Sequence, residues 1–202
     1  FKKYGSMQIM IVVGLGNPGD TYAETRHNAG RMVLEMSAPR STDFRYDKKA
    51  NAQIGNVSFG DTRMTFILPD TYMNNSGQSV APYVKSPKDL AKLVVVYDEL
   101  DLPLGSIKIS FDRSSGGHNG VESIIKTVKS REFIRVRIGI SPATPTGKLK
   151  KMTTDKMAED FLMKRFTPKQ KEVLEQVAKR VQDALVMIAT EGKEKAMTEF
   201  NQ

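Results

Sequence analysis

Five short apolar runs with the character of β-strands constrain the fold of this chain more than any other feature. They are QIMIVV (8–13), RMTFIL (63–68), LVVVY (93–97), SIKISF (106–111) and IRVRIGI (134–140). The first and third runs are almost continuously apolar, which is typical of strands buried on both faces of a sheet. Helical patterns lie between the runs, and strands that alternate with helices predict an α/β domain. We therefore expect one three-layer α/β domain over residues 1–202.

Two helical patterns are clear enough to place. VESIIKTVKS (121–130) has its apolar residues on one stripe, and Asn119 is the expected N-cap. The last helix is predicted to begin after Thr167, with Gln170 completing a capping box. Its predicted buried face consists of Val173, Leu174, Val177, Val181, Leu185 and Ile188. The Pro-, Thr- and Lys-rich segment 141–156 before it predicts a mobile loop.

The balance of charge suits a polyanionic partner. Thirty-one Lys and Arg residues against 23 Asp and Glu residues give a formal net charge of +8. Neutralising phosphates with such cations releases condensed counterions and strengthens binding at low salt. Many basic proteins have no such partner, so charge alone leaves nucleic-acid binding open. The chain has no cysteine and only two histidines, which excludes disulfides and thiolate metal sites and disfavours a histidine-rich zinc site.

The sequence carries no sign of membrane insertion or secretion. No run approaches the roughly 18 apolar residues that a membrane-spanning helix requires. The basic N-terminal stretch FKKYGSMQ lacks the apolar segment and cleavage site of a signal peptide. We therefore expect a soluble cytoplasmic protein. Residues 1–7 are expected to be flexible or appended, with a natural start at Met7 or Met10.

A glycine-rich turn follows the first run, in VVGLGNPGDTYAETRHNAG (12–30). Gly14, Gly16 and Gly19 match the G-x-G-x-x-G spacing of dinucleotide-binding folds. Two features of the context argue against that function. Pro18 removes a backbone donor from the cradle, and no well-placed acidic residue follows about twenty positions later to hold a ribose. A nucleotide-cofactor enzyme therefore stays a minor alternative.

Polar clusters stand at predicted strand ends and turns, where α/β sheets place their functional crevice. His27 is the natural general base, because imidazole titrates near neutral pH. Asp98 follows a buried strand and is suited to orient that ring and stabilise the imidazolium. Asparagine amides can hold a carbonyl, a water or a developing oxyanion without adding charge. The candidates of that type are Asn17, Asn74 and Asn119.

Simpler structural roles exist for most of these residues. Asn119 serves as a helix cap, Asn17 as a turn residue before proline, and Asp98 as a partner for a lysine. The serines near the clusters do not sit in a G-x-S-x-G elbow, so water is the better nucleophile. From the residues alone, the prediction is a hydrolase acting on a phosphate-rich substrate.

Taken in order, six segments resemble the bacterial peptidyl-tRNA hydrolase family. They are GLGNPGDTYAETRHNAG, TYMNNSG, YDELDLPLGSIK, GGHNG, RVRIGI and DFLMKRFTPKQ. The resemblance runs from about residue 8 to the C-terminal helix. It implies a monomeric enzyme of translation and ribosome rescue, with a twisted mixed sheet flanked by helices. The implied reaction cleaves the ester between an N-blocked peptidyl group and the 3′ ribose of tRNA, with no cofactor and no metal.

The resemblance also assigns roles to individual residues. It makes His27 the catalytic base and Asp98 its supporting acid, while His118 is expected to be a turn or supporting residue. The other implied positions are Asn17 and Asn119 in catalysis, Tyr22, Met73 and Asn74 in substrate binding, and Lys108 and Arg137 at the tRNA 5′-phosphate. Strand alternation already turns Lys108, Arg135 and Arg137 away from the apolar side.

Three departures from the family pattern stand out. Leu68 replaces a basic residue, Pro82 interrupts the helix expected after TYMNNSG, and FDRSSGGHNG replaces a glycine-rich lead-in. None falls on the catalytic positions. An RNA-binding relative without hydrolytic activity is the remaining alternative, and the intact His27 and Asp98 argue against it.

Overall fold

The computed structural model describes residues 9–143, 149 and 152–202. The expectations for residues 1–7 and for seven of the sixteen residues in the 141–156 segment, namely 144–148 and 150–151, lie outside the described residues. The strands are β1 Met10–Gly14, β2 Arg45–Asp47, β3 Ala52–Phe59, β4 Thr62–Pro69, β5 Leu93–Pro103, β6 Ile107–Phe111 and β7 Ile134–Ser141.

Within the described residues these strands form one seven-stranded sheet in the order β2-β3-β4-β1-β5-β7-β6. β4, β1, β5 and β7 run parallel, whereas β2, β3 and β6 pair antiparallel with their neighbours. The expected mixed sheet is therefore confirmed. β1 and most of β5 are buried, as their continuous apolar runs predict.

The β2–β3 part of the sheet is absent from the sequence prediction. β3 pairs with β4 through a two-residue turn in which Gly60 has a φ of 57°. Polar residues and Gly55 interrupt the apolar pattern of AQIGNVSF, because this strand lies near the margin of the sheet. The periodicity of the sequence therefore gives little sign of it.

Helices cover both faces of the sheet, which confirms the three-layer architecture. Their bounds are α1 Ala29–Ser37, α2 Gly77–Val80, α3 Pro87–Leu90, α4 Asn119–Val128, α5 Asp155–Leu162, α6 Pro168–Glu191 and α7 Lys193–Phe200. α1 and α6 pack into one core cluster, and α2 and α4 into the other. None of the helices in the described part of the chain is long and apolar enough to cross a membrane.

The helix-end predictions had mixed outcomes. The capping box of α6 is present, since Gln170 N donates to Thr167 Oγ1 (3.3 Å) and Thr167 N to Gln170 Oε1 (3.0 Å). The predicted buried face of α6 is confirmed, with Val173 only partly buried. α2 ends before Pro82, as expected. The prediction of Asn119 as the cap of α4 is wrong: the N-cap is His118, because its ring nitrogen accepts the first free N–H groups of the helix.

The glycines of the opening segment are explained by close packing of α1. A Cβ on Gly16 would lie 2.8 Å from the Cβ of Arg31 in α1, and one on Gly30 only 2.3 Å from the carbonyl oxygen of Val96 in β5. Gly19 has a φ of 90°, which favours glycine. These positions therefore require glycine for structural reasons, without a nucleotide.

Alternation was predicted to turn the basic strand residues away from the apolar side. They lie on the face opposite Ile134, Val136 and Ile138, but that face also carries an apolar cluster with Tyr97 and Phe133, and the exposure of the basic residues differs. Lys108 and Arg137 lie opposite each other in the β6–β7 ladder, and Lys108 is exposed. Arg135, two residues earlier on the same face, is fully buried. The segment after β6 covers it, since Arg135 hydrogen-bonds the carbonyls of Arg113 and Ser114 there.

Candidate active site

His27 lies in a 3₁₀ turn, Arg26–Asn28, that joins the glycine-rich turn to α1. Its Nδ1 is 3.1 and 3.2 Å from the two carboxylate oxygens of Asp98. Both residues are buried, with exposed fractions of 7% and 4%. Asp98 was expected just beyond the end of its strand, but β5 continues to Pro103 because the following residues go on pairing with β7. The buried part of β5 ends at Asp98, so the carboxylate still stands at the edge of the core.

His118 contacts the same carboxylate from the other side. Its Nε2 is 3.0 Å from Asp98 Oδ1, and its Nδ1 accepts hydrogen bonds from the N–H groups of Gly120 (3.2 Å) and Val121 (3.3 Å). Because Nδ1 accepts, the proton of the neutral ring is on Nε2, which donates to Asp98. Both ring nitrogens of His118 are therefore occupied.

The hydrogen bonds also determine the tautomer of His27. The Asp98 carboxylate only accepts, so Nδ1 of His27 donates to it and Nε2 carries the free lone pair. Among the described residues, Nε2 has no hydrogen-bond partner. Burial opposes the charged form of each group. The two imidazoles nevertheless hold the pKa of Asp98 well below its usual range, and the charge and hydrogen bond of Asp98 raise the pKa of His27. This pairing makes His27 a stronger base.

His27, Asp98 and His118 have the composition of a two-histidine, one-carboxylate metal site, and one atom of each lies within 4.8 Å of the others. To bind a cation between them, the two imidazoles would have to give up the N–H groups that they direct at Asp98. Nδ1 of His118 is also already an acceptor for the helix N-terminus. The observed contacts therefore favour a hydrogen-bonded triad of His27, Asp98 and His118 over a set of metal ligands.

The three side chains of this triad lie at a cavity of about 730 Å³, which is lined by His27, Asp98, His118 and Asn119 among other residues. One wall is the segment Ser115–Gly117 and another is α5, through residues such as Leu162. A second cavity of about 740 Å³ lies beside β2 and β3 and contains none of the candidate residues. Of these two cavities, the cleft at His27 is the one that contains a candidate base.

Asn17 joins two loops next to the triad. Its backbone N–H donates to Asn28 Oδ1 and its carbonyl accepts from Asn28 Nδ2, both at 2.8 Å. Its own Oδ1 accepts the N–H of Met73 at 2.8 Å. These bonds leave Asn17 Nδ2 as the amide group available to a ligand. Sequence reasoning assigned no role to Asn28, although its position beside His27 was a signal.

The predicted substrate-binding residues form a group next to the cleft but do not line it. The rings of Tyr22 and Tyr72 meet edge to face with centroids 6.4 Å apart. Met73 is buried, and a Cβ on Gly120 would lie 2.6 Å from its sulfur. Asn74 is exposed in the turn that begins at Met73. Asn119, by contrast, is exposed in the cleft itself.

The two predicted phosphate-binding residues are neighbours, but they differ in their partners. Arg137 Nε is 2.9 Å from Glu99 Oε2, and both side chains are mostly buried. Lys108 makes no ion pair with any described residue. Sequence reasoning missed Glu99, which follows Asp98 directly and lies opposite β7 in the sheet. Leu68, noted above as a departure from the expected pattern, is buried in the core.

Comparisons with known proteins agree over nearly the whole chain. The family model for peptidyl-tRNA hydrolase matches residues 11–202. A peptidyl-tRNA hydrolase of Carboxydothermus hydrogenoformans is 40% identical over 195 residues, which cover 96% of this chain and 98% of that protein. One of a Roseiflexus species is 40% identical over 194 residues, covering 95% and 85%. The crystal structure of peptidyl-tRNA hydrolase from Acinetobacter baumannii superposes with a TM-score of 0.82 at 28% identity, covering 98% of this chain and 97% of that one.

Proposed function

This chain belongs to the peptidyl-tRNA hydrolase family, and we propose that His27, held by Asp98, is its general base. The resemblance seen in the sequence is thereby confirmed. The chain is an ester hydrolase that cleaves peptidyl-tRNA between the peptidyl group and the 3′ ribose, releasing peptide and free tRNA. The observation that supports the assignment of the base is that Nε2 of His27 has no hydrogen-bond partner among the described residues, while Nδ1 of the same ring is bound to a buried carboxylate.

The proposed reaction begins with a water molecule at Nε2 of His27. As the water oxygen attacks the ester carbonyl carbon, one water proton passes to Nε2 and the carbonyl oxygen becomes an oxyanion. Asp98 stabilises the imidazolium through Nδ1–H, as the raised pKa of His27 requires. The tetrahedral intermediate then breaks its bond to the ribose oxygen, which takes the proton from Nε2. The free base is restored.

The asparagines divide the remaining work in this proposal. Asn119 lies in the cleft and is suited to position the water or the ester. Asn17 contributes Nδ2 to the substrate, because its Oδ1 is bound to the N–H of Met73. Asn74, exposed beside Met73, holds the peptide end or the oxyanion. Met73 is buried, so its part is to support the two asparagines, and Tyr22 offers an aromatic face at the entrance.

Lys108 and Arg137 are proposed to bind the tRNA 5′-phosphate. Lys108 is exposed, while Arg137 lies across the ladder from it. The ion pair with Glu99 holds the guanidinium of Arg137 in place, where it is proposed to contact the phosphate. The net charge of +8 favours the association.

We also propose that the enzyme acts as a cytoplasmic monomer in ribosome rescue and uses no metal or other cofactor. The proposal that no metal is needed rests on the activation of water by His27 and Asp98, which requires no Lewis acid. Under this proposal, incubation with excess EDTA leaves kcat unchanged, and the protein elutes from a sizing column at the position of a single 22.5 kDa chain. A loss of activity restored by one divalent ion would overturn the metal-free mechanism.

The experiment that tests the function compares two substrates of the purified protein. N-acetyl-aminoacyl-tRNA is expected to be hydrolysed, and the same tRNA with an unblocked aminoacyl group is expected to be a poor substrate. Binding of tRNA without hydrolysis of either would support the RNA-binding alternative. Equal cleavage of both substrates would contradict the preference for a blocked amine.

A further inference from the structure

Arg135 is a buried cation to which the proposed mechanism gives no task. It lies on β7 with no exposed surface. Its guanidinium donates to the carbonyl oxygens of Ser114, at 2.6 Å, and Arg113, and it stacks over the ring of Phe133 at 4.8 Å from the centroid. Among the described residues no carboxylate forms an ion pair with Arg135, and its Nε has no partner. Burying a charge without a carboxylate is unfavourable, so this arrangement needs a reason.

The two carbonyls belong to the segment between β6 and α4, residues 112–118, defined here as the 112–118 loop. The loop has little regular structure, and Asp112, Gly116 and Gly117 have φ values of 47°, 60° and 84°. It leads directly to His118 and Asn119, and its second half lines the cleft. The backbone N–H of His118 donates to the carbonyl of Ser115 (3.1 Å), so the position of His118 depends on the residues just before it.

His118, at the end of the 112–118 loop, is also held by its cap on α4 and by the edge-to-face contact of its ring with Tyr97, with centroids 4.8 Å apart. Among the described residues, few contacts other than those of Arg135 fix the part of the loop before His118. The ion pair between Arg131 and Asp112, at 3.6 Å, involves two largely exposed side chains and is weak for that reason. The contact between His118 and Asp98 is the link that has to be positioned. Arg135 is therefore the buried group that fastens the start of the loop to the sheet, and its planar guanidinium can bind two successive carbonyls at once.

We propose that Arg135 is a positioning residue for hydrolysis: it fixes the 112–118 loop so that His118 meets Asp98 and Asn119 faces the cleft. The effect on rate rests on the proposed function, because it acts through Asp98 on His27. A lysine at this position keeps the charge but has one compact ammonium group in place of a fork. A methionine keeps much of the volume and loses both hydrogen bonds.

The test compares Arg135→Met, Arg135→Lys and, as a control, Val136→Ala. Val136 is the next residue of β7 and is equally buried, but its side chain packs in the core cluster on the other face of the sheet. With N-acetyl-aminoacyl-tRNA we expect kcat to fall about 10–100-fold in Arg135→Met and less in Arg135→Lys, with KM nearly unchanged. Val136→Ala is expected to keep kcat close to that of the wild type.

A second readout does not depend on activity. The chain has two histidines, so ¹⁵N NMR resolves both imidazoles. In Arg135→Lys, and in Arg135→Met if it folds, the ¹⁵N shifts of His118 are expected to move toward a mixture of tautomers, while His27 keeps the tautomer with its proton on Nδ1. Unchanged His118 signals, or a kcat loss no larger than in Val136→Ala, would overturn the proposal. If the wild-type protein hydrolyses neither substrate, the proposed function fails, and the NMR result still decides the positioning role.

Discussion

Two histidines contact the same buried carboxylate, and the difference between their contacts is the reason that one of them is proposed as the base. His27 directs Nδ1 at Asp98, and its Nε2, beside the cleft, has no hydrogen-bond partner in the part of the chain that the structure describes. His118 directs Nε2 at Asp98 and uses Nδ1 to cap α4. The residue type and the partner are the same, but only one ring keeps a lone pair for water. The free ring nitrogen, and not proximity to an acid, distinguishes the proposed base from the supporting histidine.

The segments that carry the two rings also differ in how firmly they are held, and His27 lies in the more firmly held one. The turn that carries His27 is buried, and Arg26 ties it to the start of α6 through the carbonyl of Arg165 (3.1 Å) and the side chain of Gln170 (3.2 Å). His118 follows a loop with three residues at positive φ and depends on Arg135 for its anchor. We therefore expect distant changes to disturb His118 more readily than His27.

The largest effect is expected from His27→Ala. Loss of a general base lowers kcat by about 10²–10⁴-fold. KM for N-acetyl-aminoacyl-tRNA changes little, because the basic face, defined here as Lys108 and Arg137, is intact. Steady-state kinetics on that substrate measures both constants. Retention of near-wild-type kcat would make the assignment of the base wrong.

Asp98→Asn is expected to lower the plateau kcat by up to about 10⁴-fold, because an amide neither stabilises the imidazolium nor holds the His27 proton on Nδ1. It also alters the pH profile. In the wild type the pKa of His27 is raised, so activity increases with pH through a value above the ordinary 6.5 of imidazole. In the variant, burial acts without the opposing charge, and the acid limb moves to lower pH. An unmoved limb would show that another group titrates.

The same shift has a consequence for stability. Because folding raises the pKa of His27, its pairing with Asp98 stabilises the folded state fully below the ordinary imidazole pKa. That contribution is lost as the pH rises through the raised value. The wild type is therefore expected to lose more unfolding free energy than Asp98→Asn between pH 6 and pH 9, as measured by denaturant titration.

His118→Ala is expected to have a smaller effect than His27→Ala. It removes one hydrogen bond to Asp98 and the cap of α4, which costs about 1 kcal/mol of unfolding free energy. We expect a kcat loss at least tenfold smaller than that of His27→Ala, with the pH profile still controlled by His27. A loss as large as that of His27→Ala would make the two rings equivalent and break the comparison.

The smallest effects are expected on the basic face, where neither ring is touched. Lys108→Gln raises KM for tRNA substrates, and the slope of log KM against log salt falls by about 0.7–0.9 if one phosphate contact is lost. Arg137→Gln acts in the same direction and also frees Glu99. Short ester analogues serve as the control, because neither variant is expected to alter their hydrolysis. An equal loss on both substrate types would indicate structural damage.

The sequence predicts what local patterns determine. Continuous apolar runs predict that β1 and β5 are buried, and both lie at the centre of the sheet. The capping box formed by Thr167 and Gln170 correctly predicts that α6 begins directly after Thr167. The ordered motifs identify the family. The strand β3 was missed because its apolar pattern is interrupted by polar residues and glycine.

The remaining differences arise from tertiary contacts. Alternation predicts the face of the sheet on which Arg135 lies. It does not predict that the 112–118 loop, about twenty residues earlier in the sequence, covers the Arg135 side chain. His118 replaces Asn119 as the cap of α4 because Asp98 and the helix N-terminus together orient its ring. The pairing of Arg137 with Glu99 follows from the alignment of β5 and β7, which no single segment reveals.

The most direct test of the central claim is a ¹⁵N NMR measurement of the two imidazoles in the wild-type protein at alkaline pH. The account predicts opposite tautomers: a proton on Nδ1 and a bare Nε2 for His27, and a proton on Nε2 and a bare Nδ1 for His118. A proton on Nε2 of neutral His27 would leave no acceptor for water in the cleft and would contradict the mechanism.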